Sequence, residues 1–144
     1  MSTASKILVT VQFFCLFILL ISGNLMGSGI LLLVQIFSAI LILWSVWVMK
    51  IGNFNVEPEV KIDADIVETG PYSIIRNPMY TGLIFFFGAG LLDTFQVIKF
   101  IFFLVLVLVL LLKIKLEERF LKKRFGEIYL AYMKKTYRLI PYLV

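Results

Sequence analysis

The stretch ILLLVQIFSAILILWSVWVM, Ile30 to Met49, is twenty residues long and carries no charge. About 20 apolar residues in a helix cross the hydrocarbon of a bilayer. Trp44, Trp47 and Lys50 at one end suit a membrane–water interface, where aromatic rings and basic groups collect. Three more apolar runs flank it. Ile7 to Ser22 precedes it, behind Lys6. Met79 to Leu92 follows, and Phe95 to Leu112 follows that, interrupted by Lys99 alone. A basic start followed by an apolar run is also the pattern of a signal peptide. Here a second long run begins at once and no small-residue cleavage site stands between them, so the first run is read as a membrane helix.

The composition agrees. Of 144 residues, 61% are apolar and 16% are charged, and the mean hydropathy is +1.00. Soluble domains carry about a quarter charged residues. Disorder, a nucleic-acid-binding arm and most soluble enzyme folds are thereby excluded. The length suits one domain and is too short for a transporter built of inverted repeats. Lys113 to Arg138 holds nine basic and three acidic residues, whereas Lys50 to Arg76 holds three basic and five acidic. A basic end beside a membrane marks topology and meets anionic headgroups; it points to no nucleic-acid partner. The single cysteine, Cys15, sits in an apolar run and is read as a small buried hydrophobe. Histidine is absent, so no metal centre is expected. Any chemistry falls to carboxylates, arginine, tyrosine, backbone groups or a reactive cofactor.

Between the second and third runs the pattern changes. Val56, Val60, Ile62, Ala64 and Ile66 alternate with Glu57, Glu59, Lys61, Asp63 and Asp65, a period of two that predicts extended chain with one apolar face. Asp63 and Asp65 are read as solvent-facing members of that alternation rather than as a metal pair. The third run has fourteen residues and starts after Pro78, which suits a first helical position. Asp93 and Thr94 make a turn, so runs three and four form a helical hairpin. Beyond it Leu116, Phe120, Leu121, Phe125, Ile128, Tyr129, Tyr132, Met133 and Tyr137 recur at helical spacing. They predict an amphipathic segment along the membrane surface, broken near Gly126. The expected fold is an all-α integral membrane protein with about four transmembrane helices and an amphipathic C-terminal helix at the cytoplasmic face. Residues 1–144 form a single membrane domain. Within it, 1–50 hold two spans, 51–78 an extended cytoplasmic-face segment, 79–116 the hairpin and 117–144 the C-terminal segment. The positive-inside rule puts both termini in the cytoplasm.

Three groups of residues have chemical potential. Gly70-Pro71-Tyr72 and Arg76-Asn77-Pro78-Met79-Tyr80-Thr81-Gly82 frame two turns, with Arg76 where the chain enters the bilayer. By itself this also fits a loop whose arginine holds a lipid phosphate. Gly88-Ala89-Gly90 lets a backbone or a ligand come close, and equally serves helix packing. Glu117-Glu118 closes the fourth run; it can accept hydrogen bonds from hydroxyl or ammonium groups. It also suits a solvated surface, paired with Lys113, Arg119, Lys122 or Lys123.

Taken in order, these groups are followed by Phe125-Gly126-x-x-Tyr129 and Arg138-x-x-Pro141. The set resembles the isoprenylcysteine carboxyl methyltransferases and phospholipid methyltransferases, small integral membrane enzymes, over about residues 67–141. The resemblance implies S-adenosylmethionine as methyl donor and a lipid or lipid-modified acceptor, a carboxylate or an amine, entering from the bilayer. It implies donor contacts at Gly88, Gly90, Glu117 and Glu118. It further implies that Asn77, Pro78, Tyr80, Tyr129 and Tyr132 lie near the donor. Arg76 and Arg138 would hold a donor carboxylate, or an acceptor carboxylate or phosphate, in a bidentate fork. In one departure Asn77 stands where the family segment often has histidine. A sulfonium donor is already activated, so alignment and exclusion of water suffice. An amine acceptor must also lose a proton, to a glutamate or to solvent. Two other classes fit less well: a nicotinamide-dependent membrane reductase of the sterol-reductase type, and a non-enzymatic membrane partner protein. A second copy would pair through the first two helices.

Overall fold

The computed structural model describes residues 3–53 and 66–143. Within them the chain forms five α-helices and no strand. These are α1 (Thr3–Ile21), α2 (Gly29–Asn53), α3 (Pro78–Asp93), α4 (Val97–Phe125) and α5 (Glu127–Lys135), with a 3-10 turn at Gly70–Ser73. The alternating stretch from Val56 to Asp65, with Asp63 and Asp65, lies outside the described residues.

Helices α1, α2 over Gly29–Met49 and α4 are long and apolar enough to cross a membrane. Their outward side chains, among them Phe13, Phe17, Phe37, Trp47 and Leu108, are exposed, as a lipid-facing surface requires. Helix α3 is apolar but has sixteen residues, about 24 Å at ~1.5 Å per residue. It begins at Pro78, as expected. Helix α4 has twenty-nine residues. About 20 of these fill the hydrocarbon, so a span counted from Val97 ends next to Glu117. The chain breaks at Gly126, whose φ of +51° ends α4 and begins α5; a side chain there would clash with its own backbone.

Thr94 to Gln96 join α3 to α4 as a hairpin requires, but packing corrects the expected pairing. Helix α3 lies mainly against α2, and α4 mainly against α1. The glycines of α3 explain this. A Cβ on Gly82 would stand 2.5 Å from Ile42 Cγ1 and 3.0 Å from the Ser38 carbonyl oxygen. The two helices therefore meet backbone to backbone there. Gln35 of α2 fixes the other end: its Oε1 accepts from the Gly27 amide (2.7 Å), and its Nε2 donates to the carbonyls of Leu25 (2.8 Å) and Phe86 (3.2 Å). The Asp93 carboxylate accepts from the Ser28 amide and hydroxyl. Lys99 is buried and turned inward, donating to Asn24 O at 2.9 Å and Thr94 Oγ1 at 3.1 Å. The core between the helices comprises Cys15, Leu19, Tyr80, Phe87, Leu106, Leu110, Ile114 and Leu139. Leu139 belongs to the segment after α5, so the C-terminal end is part of the bundle.

Candidate active site

The C-terminal segment is stitched to the start of α3. Ile75 and Tyr137 form a parallel bridge, in which the Arg76 amide donates to Tyr137 O (2.8 Å) and the Tyr137 amide to Ile74 O (2.9 Å). Side chains extend the seam. Asn77 Nδ2 donates to Arg138 O (3.0 Å) and Thr81 Oγ1 to Leu139 O (2.8 Å). Asn77 precedes α3 but caps none of its amides; its side chain instead holds the segment after α5, residues 136–143, which forms a strap over the start of α3.

Under the strap sit two carboxylates with different surroundings. Glu118 is buried between two guanidinium groups. Arg76 Nε donates to its Oε1 (3.2 Å), while Arg138 Nε and Nη2 donate to Oε1 (3.2 Å) and Oε2 (2.8 Å). The Arg138 contact is the bidentate fork that favours arginine at such sites. Arg76 spends Nη1 on the Met133 carbonyl (3.1 Å), the Thr136 Oγ1 (3.3 Å) and the Thr136 carbonyl. Its side chain is 8% exposed, against 41% for Arg138. Arg76 is thus locked into the protein, and Arg138 keeps one side open to solvent. Arg138→Ala is therefore expected to loosen the strap less than Arg76→Ala, read as hydrogen exchange at the Tyr137 amide; equal loss in both would contradict this division.

Glu117, the next residue, points about 100° around the helix. Its Oε1 accepts from the Tyr80 hydroxyl at 2.6 Å. Lys113, one turn earlier, lies 5.4 Å from the centre of the Tyr80 ring and donates to Gln12 Oε1 of α1 at 2.7 Å. A layer of tyrosines completes the group. Tyr132 donates to the Tyr72 carbonyl (2.7 Å), and its ring centre is 5.8 Å from that of Tyr129. Burial pushes the hydroxyls of Tyr72, Tyr129 and Tyr132 above their usual range. Tyr132 and Glu117 add to the push at Tyr72, both Glu117 and Glu118 add to it at Tyr129, and Arg76 opposes it at Tyr129 and Tyr132. All three stay neutral donors at physiological pH.

The structure therefore brings together Arg76, Asn77, Pro78, Tyr80, Glu117, Glu118, Tyr129, Tyr132 and Arg138. It does not bring Gly88 and Gly90 to them. These lie eight and ten residues beyond Tyr80, roughly 12 and 15 Å along the helix axis. A Cβ on Gly90 would meet Leu25 O at 3.0 Å and Gln35 Nε2 at 3.1 Å, and one on Gly88 would meet the Phe103 ring at 3.4 Å. Their surroundings are those of a helix-packing surface. A cleft lined by Leu19, Phe87, Gly90 and Lys99 has a volume of about 10 Å³, room for about one water. Sequence reasoning overlooked Gln12 and the burial of Lys113. The available signal was an amide side chain, Gln12, inside the first apolar run and a lysine directly after the fourth, Lys113, four residues before Glu117.

A family model for phospholipid methyltransferases matches residues 24–128. The chain belongs to the phospholipid methyltransferase family. That membership makes it a membrane methyltransferase. The matched part covers α2, α3 and α4, including Arg76, Tyr80 and both glutamates; α1 and the strap with Arg138 lie beyond it. Comparison with curated proteins finds no match.

Proposed function

We propose that this phospholipid methyltransferase moves a methyl group from S-adenosylmethionine to the amine headgroup of a phospholipid at the cytoplasmic face. The observation that carries this reading is the pair of unlike carboxylates under the strap: Glu118 saturated by two arginines, and Glu117 held from one side by Tyr80. The residues present fit the donor. Glu117 offers a carboxylate for its ammonium or ribose hydroxyls. Arg138, half in solvent, can turn its fork to the donor carboxylate. Tyr72, Tyr129 and Tyr132 present rings and neutral hydroxyls beside them. When bound, S-adenosylmethionine supplies an electrophilic methyl on a sulfonium.

The chain's own task is to bind, orient and keep water out. The strap does the last, since Leu139 and Thr136 are buried over the group. Arg76 sets the strap through backbone carbonyls and so acts on the ligand through other residues. In this reading Gly88 and Gly90 serve α3 packing rather than the donor. A span counted from Val97 ends next to Glu117, which supports an acceptor that reaches this carboxylate from the bilayer. Four spans with both ends in the cytoplasm follow if α3, continued through its polar entry, crosses with the others. The family match speaks against the nicotinamide reductase and the non-enzymatic partner.

Calorimetric titration of the detergent-purified protein with S-adenosylhomocysteine tests this. Wild type is expected to bind and Glu117→Gln to bind on the order of tenfold more weakly, about one charge-assisted hydrogen bond. No binding by folded, monodisperse wild type would sink the donor assignment. Undiminished binding by Glu117→Gln would remove the role given to that glutamate.

A further inference from the structure

The buried Lys113 is not accounted for by anything so far. Its side chain is among the largest fully buried ones, at 1% exposure, and it sits beside Leu110 and Ile114 on the part of α4 that faces the bundle interior. A lysine in that position is costly, because taking an ammonium group out of water is repaid only by well-placed partners. A leucine or methionine would fill the same space between α1 and α4 without that cost. What the lysine does instead is visible in its partners. Its Nζ donates to Gln12 Oε1 at 2.7 Å and lies 5.4 Å from the centre of the Tyr80 ring. The Tyr80 hydroxyl donates to Glu117 Oε1 at 2.6 Å. Lys113 and Glu117 also stand four residues apart on α4, the spacing at which opposite charges share one helix face.

We infer that Gln12 and Lys113 are positioning residues that aim the Glu117 carboxylate at the methyl donor, which makes α1 part of the site. The inference rests on the donor reading above and extends it to a helix that lies outside the family match. Gln12 fixes the ammonium from the α1 side. The ammonium supports the face of the Tyr80 ring, where a cation is attracted to the π-electrons. The ring in turn holds its hydroxyl on Glu117. The positive charge also offsets that of the carboxylate between packed helices, where an unpaired charge is expensive. Glu117 therefore meets the ligand in one orientation, at no cost of ordering when the ligand arrives. The chain of contacts runs from α1 through α4 and α3 and back to α4, and couples the two helix pairs of the bundle at the level of the site.

The test is titration with S-adenosylhomocysteine of wild type, Lys113→Met, Lys113→Arg, Gln12→Leu, Glu117→Gln and the Lys113→Met/Glu117→Gln double variant, with a thermal melt of each. Lys113→Met is expected to bind on the order of tenfold more weakly, while its Tm holds or rises, because an apolar side chain replaces a buried charge. Lys113→Arg is expected to keep most of the affinity. Gln12→Leu, an apolar change that membrane insertion tolerates, is expected to lose affinity in the same direction but less. The double variant is expected to bind no more weakly than Glu117→Gln alone, since a residue that acts through Glu117 has nothing left to act on. Wild-type affinity in Lys113→Met or in Gln12→Leu overturns the inference. So do losses that multiply in the double variant, and so does a fall in Tm without a fall in affinity, which marks a purely structural role. If Lys113→Met does not fold, Gln12→Leu and the double-variant comparison repeated with Gln12→Leu decide. Wild type that does not bind at all defeats the donor reading itself, an outcome separate from these.

Discussion

Glu118→Ala is expected to release the C-terminal strap and lower stability by about 3–5 kcal/mol, the usual cost of removing one partner from a buried ion pair. The cost falls unequally. Arg138 is 41% exposed and can hydrate once its partner is gone, whereas Arg76 is 8% exposed and is left with the neutral oxygens of Met133 and Thr136. Arg76 anchors Met133 and Thr136, so its reorientation frees the bridge between Ile75 and Tyr137. The measurement is a thermal melt in detergent together with hydrogen exchange at the Arg76 and Tyr137 amides. Faster exchange at both, with the amides of α2 still protected, is the expected result. An unchanged Tm with both amides still protected would show that the backbone seam holds without the carboxylate.

Gly82→Leu is expected to separate α3 from α2 and to be the most damaging change in the membrane part. Even the first carbon of a side chain would stand 2.5 Å from Ile42 Cγ1 and 3.0 Å from the Ser38 carbonyl oxygen. Overpacking by a few methylenes costs about 1–3 kcal/mol when neighbours can shift. Here one neighbour is backbone, so leucine should exceed that range. Gly82→Ala is the informative intermediate. Its clash is chiefly with the Ile42 side chain, so Ile42→Ala should restore much of its Tm, while the same change should not rescue leucine. Failure of that rescue would mean that the Ser38 carbonyl sets the spacing alone. Because Tyr80 lies two residues before Gly82, a displaced α3 also withdraws its hydroxyl from Glu117, and S-adenosylhomocysteine affinity is expected to fall with stability.

The local signals were plain in the chain. Pro78 opens α3, Gly126 ends α4, and the aromatic spacing after Glu118 produces α5, because each depends on backbone geometry or on periodicity within a few residues. The set of chemically able residues was also legible, because with no histidine and one cysteine few candidates exist.

Other features depended on partners far along the chain. Glu117 and Glu118 are alike in sequence, yet a turn of about 100° between neighbours sends one to Tyr80 and the other to two arginines. Gly88 and Gly90 were grouped with the glutamates by order, yet lie at the other end of α3 against Leu25, Gln35 and Phe103. Lys113 resembled a surface partner of Glu117 until α1 covered it, because Gln12 lies 101 residues away. Hydropathy measured against a bilayer of fixed thickness is a property of each segment by itself, so the sequence alone determined that helices of this length would form and face lipid. Which helices pair, and which polar atoms then find each other, is decided by side-chain shape across contacts between distant residues. That complementarity exists only once the bundle has closed.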